Sequence, residues 1–279
     1  MMTQQPMMTQ PMMGQPMVFI PMFGNLQYTF TQDPLSELAL SVRATIRQQP
    51  ELGEMITGCE TENRYHVFIT LPNGMEKYLF KCKEESTCCQ RNCCPSDARE
   101  FKMKIKHIPN VTSFNDTAFK TYFAELIKPF KCTCCCLARP IIKGEYSSNK
   151  QEFGEVKEEC TCCDPLFVIL NDKEIKYSIT IDCCQCGFCC SGACGKLYEV
   201  VCNIRQGGKN GNIVGTIKKK LAQSIAELIT DADTYVVEFP QMASPEDKFT
   251  LIMAGLFIDY RYFETSHSDG GTSRRRRRY

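Results

Sequence analysis

The chain has 279 residues and a formal charge of +1, with 43% apolar and 23% charged residues. That length and composition allow a sizeable core, and the near-neutral charge predicts no general affinity for nucleic acid. Twenty cysteines, beside three histidines and no tryptophan, are the unusual part of the composition. The first 32 residues hold no Lys, Arg, Asp or Glu, and prolines interrupt their apolar runs. No secretory leader is therefore expected, and the thiols are expected to stay reduced in the cytosol. An enzyme is not expected, because His66, His107 and His267 sit in no recognisable nucleophile or metal pattern.

Residues 1–32 place Pro6, Pro11, Pro16 and Pro21 at a strict period of five among Met, Gln and Thr. This predicts a disordered Pro/Met/Gln-rich tail, with docking to a protein partner as the alternative. Order is expected to begin at Asp33-Pro34, an N-cap followed by a residue suited to the first helical position. Leu35, Leu38, Ala39, Val42 and Ile46 then recur at helical spacing, predicting one amphipathic helix ended by Pro50.

From residue 54 to 217 short strands are expected. NRYHVFIT and MEKYLFKCK flank Leu71-Pro72-Asn73-Gly74, a hairpin signal. EFKMKIKHI alternates, with Phe101, Met103, Ile105 and His107 on one face and Lys102, Lys104 and Lys106 on the other. PLFVILN and EIKYSITID flank Asp172-Lys173, and KLYEVVCNI and NIVGTIKK flank a turn from Gly207 to Gly211. Hairpins at this spacing predict an antiparallel sheet or barrel. A second helix is expected over 218–230, opened by Lys218, Lys219 and Lys220, and TYVVEFP then returns as a strand.

FTLIMAGLFI at 249–258 is the most apolar run, but Lys248 and Asp259 bound it after ten residues. A bilayer span needs about 20, and a run apolar all round predicts a helix buried inside protein. The C-terminal tail, residues 267–279, ends in Arg274, Arg275, Arg276, Arg277 and Arg278. Without those five the chain holds 28 basic against 32 acidic residues.

Seventeen cysteines fall in four clusters: Cys88, Cys89, Cys93 and Cys94; Cys132, Cys134, Cys135 and Cys136; Cys160, Cys162 and Cys163; and Cys183, Cys184, Cys186, Cys189, Cys190 and Cys194. Structural zinc favours paired CxxC knuckles, and Cys186 with Cys189 makes one without a clear second, so zinc is not expected. Redox catalysis would pair CxxC with a βαβ pattern, which is missing. The CTCCC cluster, among Lys128, Lys131 and Arg139, suits attachment of several fatty chains, and small apolar packing competes for the other clusters.

Taken together, ITGCETENRYHVF, CCQRNCC, KPFKCTCCC, the hairpin around CCQCGFCC, DADTYVVEFP and FTLIMAGLFIDYRYFE resemble the phospholipid scramblase family, from Leu35 to Glu264. The resemblance implies a mainly β, tubby-like fold: a closed antiparallel twelve-stranded barrel around a buried hydrophobic C-terminal helix, with an N-terminal amphipathic helix and one further helix, over 33–266. It implies Ca2+-triggered, ATP-independent movement of phospholipids in both directions across the bilayer, with no covalent step. It also implies palmitate on Cys132, Cys134, Cys135 and Cys136, and calcium at Asp231, Asp233 and Glu238. That binding is expected to be weak: a twelve-residue loop from Asp231 carries Val236 at its glycine position and Met242 at its final acid position. Anionic lipid headgroups are expected at Lys218, Lys219, Lys220 and Arg274–Arg278. The expected location is the cytoplasmic face of the plasma membrane or an internal membrane, with a nuclear pool if the arginine run is a targeting signal. The alternative is a tubby-like module that binds anionic lipid or protein without transport.

Overall fold

The structure is a computed structural model that describes residues 33–49, 62–87, 98–109, 121–131, 138–171, 173–189, 192–222 and 233–263. The tails 1–32 and 267–279, Cys88–Cys94, Cys132–Cys136 and Asp231 lie outside the described residues.

The chain opens with helix α1 (Pro34–Leu40), capped by Asp33, whose carboxylate accepts from the backbone N–H groups of Leu35 and Ser36. The helix expected to run towards Pro50 stops here. Ser41 is extended and the chain continues as strand β1 (Arg43–Gln48). Ala44, Thr45 and Ile46 are consecutive β-branched or small residues that all find burial, and cross-strand pairing overrides the helical spacing of Val42 and Ile46.

Eleven more strands follow: β2 (Arg64–Thr70), β3 (Glu76–Glu85), β4 (Phe101–His107), β5 (Ala124–Lys128), β6 (Ile141–Tyr146), β7 (Glu152–Glu159), β8 (Leu166–Asn171), β9 (Glu174–Ile181), β10 (Val200–Gln206), β11 (Ile213–Lys219) and β12 (Thr234–Glu238). Each pairs antiparallel with its neighbours, and β1 pairs with β12 from Arg43↔Glu238 to Arg47↔Thr234, closing the barrel. Closure leaves no strand edge unpaired. The three expected hairpins are present as β2–β3, β8–β9 and β10–β11. The first turns at Gly74, whose φ of 83° lies in the region only glycine adopts freely. Lys218 and Lys219, expected to open a helix, instead end β11, and residues 223–230 of that expected helix lie outside the described residues.

Helix α2 (Cys186–Cys189) is a single turn between β9 and β10, followed by a 3₁₀ segment, Gly192–Leu197. Helix α3 (Pro245–Ile258) starts at Ser244 with a reciprocal capping box to Asp247. Every residue from Asp247 to Ile258 is buried, because α3 lies inside the barrel. Phe249 stacks on Phe80 of β3 and Phe153 of β7, at centroid distances of 5.1 and 4.4 Å. Phe257 meets Phe167 of β8 edge-on. Gly255 faces Ile46, Val237 and Ile217 of β1, β12 and β11. Fourteen residues at about 1.5 Å each give about 21 Å, against about 30 Å of bilayer hydrocarbon. Among the described residues no helix is long and apolar enough to cross a membrane.

α3 also fastens α1. The buried Lys248 ammonium donates to the carbonyls of Leu38, Ala39 and Ser41, at 3.0, 2.9 and 2.8 Å, satisfying acceptors at the end of α1. Burial holds the Lys248 pKa below its usual value. Five residues in a π-helical turn, Asp259–Phe263, follow α3 at the far end of the barrel.

Candidate functional site

Because β1 to β12 run alternately up and down, every connection from an odd-numbered strand to the next lies at one end. The sequence between β3 and β4 holds Cys88, Cys89, Cys93 and Cys94, and that between β5 and β6 holds Cys132, Cys134, Cys135 and Cys136. The β7–β8 connection holds Cys160, Cys162 and Cys163, and the β9–β10 connection the six from Cys183 to Cys194. With Cys59 between β1 and β2, that assigns 18 of the 20 cysteines to connections of the same end. The remaining two, Cys82 in β3 and Cys202 in β10, are buried core residues, as their strand patterns suggest. Burial pushes the Cys202 thiol up to about 12 and the Cys82 thiol higher still. α3 runs toward this end too, and brings Asp259 to Phe263 to it.

Beneath these connections the barrel is closed by buried charge. Glu158 of β7 is 1% exposed and is held by Arg261 Nε at 2.9 Å, the Tyr262 hydroxyl at 2.6 Å and Arg139. Glu84 of β3 accepts from Asn63 Nδ2 at 2.8 Å and Ser86 Oγ at 2.7 Å, and pairs with Arg99. Lys128 donates to the Arg99 carbonyl at 2.6 Å. At the centre, Asp259 accepts from the hydroxyls of Tyr65 and Tyr235, at 2.7 and 2.6 Å. Burial, reinforced by the nearby Asp233 charge, raises the Asp259 pKa to about 7. Buried charge is costly without partners, and an ion pair or hydrogen bond reaches each of these groups.

Asp233 and Lys219, one a calcium candidate and the other a headgroup candidate, are brought together as a buried ion pair. Lys219 Nζ lies 2.5 Å from Asp233 Oδ2 and 4.3 Å from the centroid of the Phe263 ring. At 5% exposure the ammonium faces the barrel interior rather than a membrane surface. Glu238 is not brought to this place. Asp233, Tyr235 and Val237 are buried on the inner face of β12, and Glu238 has the opposite parity at the other end of the strand, about 17 Å away at 3.3–3.4 Å per residue. There it accepts from Thr216 Oγ1 at 2.8 Å and pairs with Lys218 at 3.1 Å, contacts that hold its pKa below the usual carboxylate value. Lys220 pairs with Glu199 at 2.7 Å. Sequence reasoning missed Tyr65, Tyr235 and Asp259. The available signal was an acid directly after an apolar run too short to span a membrane.

A barrel threaded by its own C-terminal helix, with its cysteine connections at the end toward which that helix runs, defines the class of protein at hand. The family model described as Scramblase matches residues 26–265, and the chain belongs to that family. It is 26% identical over 236 residues to phospholipid scramblase 1 of Mus musculus, covering 84% of this chain and 65% of that protein. It is 29% identical over 228 residues to phospholipid scramblase 1 of Homo sapiens, covering 80% and 63%. Against phospholipid scramblase 2 of Bos taurus it is 28% identical over 226 residues, covering 80% and 69%. The chain thus spans just under two thirds of the length of the mouse and human scramblase 1 proteins.

Proposed function

We propose that the chain is a calcium-responsive, ATP-independent phospholipid scramblase that moves lipids both ways across a bilayer without covalent chemistry. Palmitate on Cys132, Cys134, Cys135 and Cys136 holds it at the cytoplasmic face of the plasma membrane or an internal membrane. The observation that carries this reading is that the cysteine-bearing connections and the end of α3 belong to one end of the barrel. Several acyl chains attached at one end dock that end against the bilayer, and two or more make the anchoring stable where one leaves it reversible. The filled lumen offers no polar path along the barrel axis, so lipid movement in this reading follows the bilayer beside the barrel, where the docked end disturbs lipid packing. Calcium acts at Asp231 and Asp233 with weak affinity, displacing Lys219 from Asp233 as it enters; Glu238 takes no part. Anionic lipids are favoured through the arginines of 274–278.

The filled lumen equally favours a second reading, a module that binds anionic lipid without moving it. Acylated protein reconstituted in liposomes with a fluorescent lipid, given Ca2+ and then dithionite, separates the two. Scrambling carries quenching past the outer-leaflet fraction, and CTCCC→Ala variants lose the effect. Quenching that halts at the outer-leaflet fraction supports the binding module.

A further inference from the structure

The β9–β10 connection is built in more detail than a surface loop requires. Gln185 grips β10 with both ends of its amide: Nε2 donates to the Val201 carbonyl at 2.9 Å, and Oε1 accepts from the Val201 N–H at 2.6 Å. Gly187 packs so closely that a Cβ there would lie 2.7 Å from the Tyr198 carbonyl oxygen. On the other side Asp164, from the β7–β8 connection, accepts from the Cys183 N–H at 3.1 Å and also hydrogen-bonds the Cys183 thiol. The Cys189 thiol lies 2.5 Å from the Cys183 carbonyl. These contacts fix Cys183 and Cys184 in place, although Cys184 is exposed and Cys183 half-buried.

The result is a converging donor set. One carboxylate oxygen of Asp182 and the sulfurs of Cys183 and Cys184 all lie within 4.8 Å of one another. Sulfurs on a tetrahedral zinc, with Zn–S near 2.3 Å, sit about 3.7 Å apart, so the three ligands need to close by only about 1 Å. Neither cysteine is in a disulfide, and the Asp182 carboxylate already turns toward the pair, accepting from the Cys184 N–H at 2.8 Å. Two thiolates and a carboxylate suit a borderline-soft dication and are a poor match for calcium or magnesium, which take oxygen.

We propose that Asp182, Cys183 and Cys184 bind Zn2+. Vicinal cysteines fall outside the paired-knuckle spacing from which zinc was not expected; the preformed loop supplies what the spacing lacks. Solvent fills the fourth position. All three ligands lie in the β9–β10 connection, at the cysteine-bearing end.

The test uses the full, unacylated chain, loaded with Zn2+ or with Co2+ as a spectroscopic stand-in, under reducing conditions. Wild type is expected to bind one more equivalent than C183S/C184S, and only wild type gives the full sulfur-to-cobalt charge-transfer band. The triple variant C160S/C162S/C163S keeps that equivalent. Excess Ca2+ leaves the metal bound. Equal zinc content in wild type and C183S/C184S, both melting as folded protein, overturns the proposal. If C183S/C184S fails to fold, Asp182→Asn decides, and unchanged affinity there overturns it as well.

Discussion

Asp259 is the residue whose surroundings are most at odds with its charge. Its two tyrosine donors favour the carboxylate, but complete burial and the neighbouring Asp233 outweigh them and raise the pKa to about 7. An acid whose pKa is higher folded than unfolded binds its proton more tightly in the native state. Its contribution to stability is therefore greatest below the unfolded value, about 4, and declines as pH rises from there through 7. This is opposite in sign to Glu238, whose lowered pKa adds stability that is lost as pH falls through it. In urea unfolding from pH 4 to 8, Asp259→Asn should remove a decline amounting to a few kcal/mol, so that the difference between variant and wild type grows toward neutral pH. A constant difference across that range would refute the assignment. None of this was legible in the sequence, where Asp259 only marks the end of an apolar run. Its pKa depends on Tyr65, 194 positions away in the chain.

At the scale of elements, α3 was the most legible part and α1 the least. The apolar run of 249–258 has no polar face, and a helix without one must be enclosed. The socket is visible only in three dimensions. At Gly154 of β7 the barrel wall comes so near α3 that an added Cβ would lie 2.3 Å from Thr250 Oγ1. Thr250 cannot turn freely, since its hydroxyl donates to the Glu246 carbonyl at 2.8 Å. Gly154→Ala should cost about 1–3 kcal/mol by overpacking, read from chemical denaturation, and Thr250→Ala in the same chain should recover part of it. A fully additive double variant would show that the two positions do not meet. α1 was misjudged because Val42 and Ile46 match a helical period by coincidence. β5, β6 and β7 gave no clear alternation, and Glu125, Lys128 and Glu158 within them are buried charges that blur any two-residue pattern.

For the whole molecule, the barrel sorts its thiols by parity of connection, which no local reading of sequence supplies. Hairpins can be found one at a time, but which end each belongs to requires the strand count. The sorting has a direct readout in the unacylated, metal-free protein. Cys160, Cys162, Cys163, Cys184, Cys186 and Cys189 are exposed and should react quickly with an aromatic disulfide reagent. Cys82 and Cys202, buried with raised pKa values, should react only as the barrel opens, at a rate that follows global unfolding in denaturant. Fast labelling of either under native conditions would contradict the closed barrel.

Closure of the wall also sets a timetable for synthesis. β1 has β12 as one of its two neighbours, and the helix that fills the interior comes after β12 in the chain. While ribosomes are still making the protein, eleven strands emerge with the first still lacking its last partner and the future interior empty. Contacts of such long separation form slowly, and incomplete strands offer open edges to their neighbours. Burial of α3 and its Lys248 clasp on α1 therefore come only after β12 and α3 have themselves been made. Any reagent or enzyme that meets the thiols before that moment meets an unfinished protein, whereas one acting afterwards meets a closed barrel whose thiol-bearing connections belong to one end.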